Sequence, residues 1–304
     1  MKPKRLNAIA PLLLCLLIPS TATSAPAVKE VEVNGVRLSY AEQGAGEPIV
    51  FVHGAFSDLR VWEPIREEVA KRYRFIAYTQ RYYGTDPWPD DGKNFSVGTH
   101  VDDLAKFITS LNAGPVHLVG RSGGGARAMI AALKNPVLVR TLTLHEPALL
   151  SVLTADSAEG KAARDDWAKF NAAAVTANKE GDPVRTMRLF IEAVWQLAPG
   201  GFDRLPEAAQ RMLLDNARTA PLQFGAPPPP ATTCDALRNF NRPTLLTQGE
   251  KTQISFKLIN EGISKCVPGV QQVIFPGLVH NAPSADPVAF TAALFEFFAK
   301  RQGL

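Results

Sequence analysis

The chemistry open to this chain centres on one serine. Gly120-Arg121-Ser122-Gly123-Gly124 fits the pattern G-x-S-x-G. So short a pattern recurs by chance, and its setting is what makes it informative. Upstream, residues 116–120 are a short apolar run that predicts a buried strand. Downstream, residues 126–134 combine helix formers with apolar residues at helical spacing. A strand, a sharp turn and a helix lift a serine hydroxyl above a sheet edge, where helix N–H groups face incoming negative charge. The flanking glycines are expected where a Cβ would collide with the neighbouring strand or helix. A serine hydroxyl is a poor nucleophile at neutral pH. It needs a base beside it, and the base needs an orienting acid. Five histidines are available: His53, His100, His117, His145 and His280.

The elements around the serine set its surroundings. Residues 28–40 alternate about Asn34-Gly35, a two-residue hairpin signal. Residues 48–52 read as a buried strand running into His53-Gly54-Ala55-Phe56. A helix over 59–72 and a strand over 74–78 follow, then an aromatic and proline-rich loop over 81–89. A helix is predicted over 100–111, and a strand over 139–145 leads into Glu146-Pro147. From about 149 to 235 the pattern is helical (161–179, 184–197, 206–218) without a strand signal. Strands resume over 244–248 and 271–275, with helices over 256–266 and 287–301. This alternation predicts an α/β fold with a mostly parallel sheet flanked by helices. The expected division is a core of residues 28–148 and 236–304 with an inserted helical cap, 149–235, over the strand ends where such sheets bind ligands.

Residues 1–27 have the layout of a secretory signal peptide: basic Lys2, Lys4 and Arg5, an apolar stretch too short to span a bilayer, then small residues. An exported protein, periplasmic or secreted, is expected, with no stable membrane anchor after cleavage. Removing that segment takes 3 of the 33 basic residues and leaves 30 against 29 acidic ones, net +1. Nothing in that balance suggests a nucleic-acid partner. Cys234 and Cys266 remain, and export permits a disulfide between them or two separate thiols. Their spacing is not that of metal ligands, so no metal is expected. No organic cofactor is expected either, because Gly123-Gly124-Gly125 follows a candidate nucleophile and does not form a dinucleotide-binding turn.

This order of parts resembles the α/β-hydrolase superfamily across essentially the whole mature chain. The matching motifs are His53-Gly54 after the third strand, the turn at Ser122, the cap block, and the late histidine of Gly277-Leu-Val-His280. The resemblance implies His280 as base, with His53 in the His-Gly loop, His117 packed in a strand, His100 solvated and His145 near the cap entrance. Most of the superfamily carries its acid as an aspartate in G-x-x-D after the strand matching 244–248. Here the stretch is Gly249-Glu250-Lys251-Thr252, and a threonine holds no charge. Some branches carry the acid one strand earlier, where this chain has Glu146. Glu146 is therefore the first choice, and Glu250 the second. The resemblance assigns the oxyanion hole to the backbone N–H groups of Gly123 and Ala55, with Phe56 as neighbour to the latter. It puts Phe56, Tyr82, Tyr83 and Trp88 on the substrate side, and cap residues Phe190, Val194 and Trp195 first of all in packing. Arg121 is open to an anionic substrate or to a structural ion pair.

The implied function is a serine hydrolase that opens a small-molecule carboxylic ester or lactone through an acyl-enzyme on Ser122. C–C bond hydrolysis, amide hydrolysis and perhydrolysis by the same groups stand as alternatives, as does a small-molecule-binding homologue without turnover.

Overall fold

The structure, a computed structural model, describes residues 28–229 and 231–300. The signal peptide expected at residues 1–27 lies outside the described residues. Strands β1 (Lys29–Val33) and β2 (Val36–Gln43) form the hairpin at Asn34-Gly35. Both turn residues have positive φ, 46° and 75°, as a type I′ turn requires. Next come β3 (Pro48–Val52), α1 (Glu63–Ala70), β4 (Arg74–Tyr78), α2 (Val97–Ser110), β5 (Val116–Arg121), α3 (Ser122–Lys134) and β6 (Val139–His145). The block that follows is helical: α4 (Ala158–Lys179), α5 (Pro183–Val194), α6 (Glu207–Asn216), α7 (Ala220–Gly225) and α8 (Cys234–Arg238). The chain then returns to the sheet through β7 (Thr244–Gly249), α9 (Ile254–Cys266), β8 (Gln271–Phe275), α10 (Ala282–Ala285) and α11 (Pro287–Ala299).

The strands form one sheet in the order β1-β2-β4-β3-β5-β6-β7-β8. β1–β2 and β2–β4 pair antiparallel and every later pair is parallel. The central strands are apolar throughout because both faces are covered. In β3, Ile49 and Phe51 join the layer that holds Ile65 of α1 and Leu294 of α11. Val50 and Val52 join the layer of Leu104 of α2 and Met129 of α3. The two-residue alternation of a strand makes that division.

The cap is continuous with one of these layers. Met187, Ile191 and Val194 of α5 and Leu213 of α6 belong to the same apolar cluster as Phe51. Buried Asn216 at the end of α6 fastens it further. Its Nδ2 donates to Asp58 Oδ2 at 2.7 Å, and its Oδ1 accepts the Gly84 N–H at 2.6 Å. Cys234 and Cys266 are joined, Sγ to Sγ at 2.09 Å, tying α8 to the end of α9. The sequence left that pairing open.

Several boundaries differ from the sequence expectation, for local reasons. α2 begins at Val97, three residues before His100, because Ser96 Oγ caps it by accepting the Thr99 N–H at 3.0 Å. α5 stops at Val194, and Gln196 just beyond it has a left-handed φ of 52°. The short helices α7 and α8 fall in stretches where no helix was expected.

Candidate active site

Ser122 sits where β5 meets α3, with a φ of 53°. That strained backbone is held by close packing of glycines on both sides. A Cβ at Gly124 would lie 2.2 Å from the carbonyl oxygen of His53, and one at Gly120 would lie 2.7 Å from that of Gly124. Only glycine fits either place. A Cβ at Gly123 would meet nothing within 4 Å, so the steric argument does not extend to that residue. The Ser122 carbonyl accepts the Ala148 N–H at 3.0 Å, which ties the turn to the loop after β6.

Glu146 stands in that loop, itself at a φ of 43° and fully buried. β7 separates β6 from β8 in the sheet, so the side chain must cross the end of β7 to reach the loop after β8. It does so. Glu146 Oε2 lies 2.5 Å from His280 Nδ1. The crossing is braced by β7 itself, whose Gly249 N–H donates to Oε1 at 2.7 Å, and by Thr252, whose hydroxyl donates to Oε2 at 2.6 Å. Burial by itself would raise the Glu146 pKa. The adjoining His280 and the hydrogen bonds outweigh it and hold the carboxyl down to about 2. Glu146 is therefore a carboxylate at neutral pH. The Phe256 ring stacks on His280, centroids 4.3 Å apart, and fixes its plane.

The other histidines take structural places. His145 Nε2 lies 3.1 Å from the carbonyl oxygen of His280, and its Nδ1 lies 2.9 Å from Thr247 Oγ1. A carbonyl only accepts, so Nε2 carries the proton and Nδ1 accepts from the threonine hydroxyl. Burial pushes the His145 pKa down to about 3, so it is neutral. It pins the His280 backbone and does not line the pocket. His53 Nε2 accepts the Gln80 N–H at 3.0 Å, so its Nδ1 donates to the Gly54 carbonyl at 2.9 Å. Burial holds His53 to a pKa of about 4. That bond fixes the loop carrying Ala55. His117 is packed against Phe298, centroids 4.1 Å apart. His100, expected at the surface, is buried beside Phe95, centroids 4.9 Å apart.

Ser122, His280, Ala55 and Arg121 open onto one narrow cavity under the cap. Phe190, Ile191, Val194 and Trp195 of the cap form its far wall, so the cap residues expected to do packing also face Ser122. About 20 Å³ is free to the centre of a water-sized sphere, room for one or two waters. Tyr82, Tyr83 and Trp88, expected on the substrate side, line a different cleft with Arg37 and Arg81, at the β1–β2 edge of the sheet. The 81–89 loop folds back there: Trp88 Nε1 donates to the Tyr82 carbonyl at 2.7 Å. Phe56 is buried, with a φ of 51°, and reaches the cavity only through its contact with Phe190, centroids 5.3 Å apart. Glu250 is exposed and accepts the Gly277 N–H at 2.7 Å. It braces the His280 loop and has no contact with the imidazole.

Sequence reasoning passed over Thr252, Thr247 and His145 as partners of the Glu146–His280 pair. Their bonds join residues up to 135 positions apart, and no local pattern signals them. Among the described residues, no cluster of three or more His, Cys, Asp or Glu side chains has the arrangement of a metal site.

A mostly parallel sheet bearing a serine on a strand–helix turn, with a carboxylate–imidazole pair across two further strand ends, defines a fold family. Residues 47–284 match the family model described as alpha/beta hydrolase fold, and the chain belongs to that family. It is 26% identical over 275 residues to the 2-(acetamidomethylene)succinate hydrolase of Mesorhizobium japonicum, covering 88% of this chain and 94% of the relative. Among solved structures it is similar to a thermophilic esterase from Thermogutta terrifontis, with TM-score 0.69, 24% identity, and 90% and 99% of the two chains covered. A carboxylesterase from Bacillus subtilis has TM-score 0.71 and 17% identity, with 90% and 91% covered.

Proposed function

We propose that this chain is an exported serine hydrolase that cleaves a carboxylic ester or lactone through an acyl-enzyme on Ser122. The observation that carries this reading is the buried Glu146–His280 pair, whose imidazole shares a cavity with Ser122. Nδ1–H of His280 donates to Glu146, which leaves Nε2 free to take a proton. His280 removes the Ser122 proton as Oγ attacks the carbonyl carbon. The oxyanion accepts hydrogen bonds from the N–H groups of Gly123 and Ala55. Gly123 lies in the first turn of α3, where N–H groups have no partner within the helix. On collapse, His280 protonates the departing alcohol oxygen. Water then attacks the acyl-enzyme, giving its proton to His280, and the acid leaves as Ser122 regains its hydrogen. The basic, apolar and small-residue order of residues 1–27 is what motivates the proposal of export.

Amide hydrolysis is the second reading, since the relative from Mesorhizobium japonicum is named for an acetamido substrate. The test is turnover of short p-nitrophenyl esters and matching anilides by the wild type and by Ser122→Ala. Ester turnover that disappears in the variant supports the proposal. Turnover of anilides alone favours the amidase. Equal turnover by both proteins removes Ser122 from the mechanism.

A further inference from the structure

Arg121 is a buried cation that makes no direct ion pair among the described residues. It immediately precedes Ser122, is 4% exposed, and lines the same cavity. Its one side-chain hydrogen bond among the described residues runs from Nη1 to the neutral hydroxyl of Ser284, at a long 3.4 Å. Arg81 shows what a structural arginine in this chain looks like: it grips Asp103 with Nε at 2.7 Å and Nη2 at 2.8 Å. Buried Arg127 likewise has a firm acceptor, Gln80 Oε1 at 2.7 Å.

The carboxylate whose charge acts on Arg121 is Glu146, and its oxygens are already committed. Oε1 takes the Gly249 N–H, and Oε2 takes Thr252 and His280. Burial lowers the Arg121 pKa to about 10, which still leaves it protonated at neutral pH. A buried charge without a partner is costly unless something arrives to pair with it. Among the described residues no carboxylate lines the cavity, and much of its wall is apolar side chains such as Val61, Ile191 and Leu213. That combination suits a compact substrate with one anionic end.

We propose that Arg121 binds a carboxylate of the substrate, so that this hydrolase selects esters bearing a negative charge close to the scissile carbonyl. The proposal deepens the serine-hydrolase reading and rests on it for the reaction, though not for the binding. A guanidinium pairs with a carboxylate through two parallel N–H donors. A carboxylate in the acyl part stays bound through both acyl-transfer steps. One in the alcohol leaves with the alcohol when the acyl-enzyme forms, and water then releases the acid. When the charge lies in the acyl part, the product is a dicarboxylate that competes for the same arginine.

The test compares charged esters with neutral analogues of the same shape: 4-acetoxybenzoate with 4-acetoxybenzamide, and monomethyl glutarate with its monoamide methyl ester. The first pair places the charge in the alcohol, the second in the acyl group. Wild type is expected to favour the anion of at least one pair by about tenfold or more in kcat/KM. That ratio should fall toward one in Arg121→Met and lie between in Arg121→Lys. In parallel, glutarate is titrated into Ser122→Ala and Ser122→Ala/Arg121→Met by calorimetry. Saturable binding that the second substitution abolishes supports the site even if no ester is turned over, in which case only the hydrolase reading fails. Should Arg121→Met not fold, the ratio in Arg121→Lys and the glutarate titration of Ser122→Ala against Ser122→Ala/Arg121→Lys decide: a weakened preference and weakened binding support the proposal, and neither changing overturns it. A wild type without preference for either anion, or a preference that persists in Arg121→Met, overturns the proposal.

Discussion

Thr252 Oγ1 donates a 2.6 Å hydrogen bond to Glu146 Oε2, the oxygen that also faces His280 Nδ1. The position that lacks an acid thus supports the carboxylate that follows the neighbouring strand. Thr252→Val keeps the shape and removes the donor. A hydrogen bond to a charged group contributes about 1.5–3 kcal/mol, so kcat is expected to fall by roughly ten- to a hundredfold, measured on the best ester. Thr252→Asp should be worse for folding, because two buried carboxylates at that distance cannot both ionise. A Thr252→Asp protein as stable as wild type in urea would contradict this placement.

Glu146 and Glu250 separate cleanly by mutation. Glu146→Gln retains size but loses the charge that stabilises an imidazolium, and kcat should drop about 10³–10⁴-fold with the fold intact. Glu250→Gln still accepts the Gly277 N–H through its amide oxygen. Its kcat should stay within about twofold of wild type. Circular dichroism and kcat on both variants check the pair of outcomes, and the reverse ranking would transfer the acid to Glu250.

Buried histidines give the protein an acid weakness. Burial lowers the pKa of His53 to about 4 and of His145 to about 3, and pushes that of His100 down as well. Unfolded histidine titrates near 6.5. The unfolded chain therefore binds more protons than the folded one below that pH, and stability rises with pH through this window. Stability should be full above about pH 6.5 and decline steadily on acidification toward pH 4. Glu146, ionised in the fold down to about 2, adds a second loss below 4.5, the ordinary value for a glutamate. Urea midpoints from pH 7.5 to 4 check this. The pH slope between 6.5 and 5 should be shallower in His145→Asn, and an unchanged slope would exclude His145 as a contributor.

The Cys234–Cys266 bond closes a loop with a sequence separation of 32. Chain entropy assigns such a cross-link about 3–4 kcal/mol. The Cys234→Ser/Cys266→Ser variant should unfold at a lower urea midpoint, and a reductant should shift wild type in the same direction without altering the variant. An equal response of both proteins would argue against the bond.

The sequence determined the family and the candidate nucleophile because those signals are local. An apolar run, G-x-S-x-G and a helix lie within 20 residues of each other, and strand and helix periodicity survive in any window that contains them. Asn34-Gly35 likewise specified its own turn. The acid was legible only as a ranked choice between Glu146 and Glu250, because a glutamate in a loop looks the same whichever way it points. Tertiary structure alone decided that Glu146 crosses β7 to His280, that Thr252 and Gly249 brace it, and that Arg121 is left unpaired. It also turned Tyr82, Tyr83 and Trp88 away from the Ser122 cavity and put Trp195 over it. The physical reason is common to all of these. Each depends on which strand ends the sheet order brings together and on how the cap packs across them. Those contacts join residues far apart in the chain, so they leave no spacing for sequence reasoning to find.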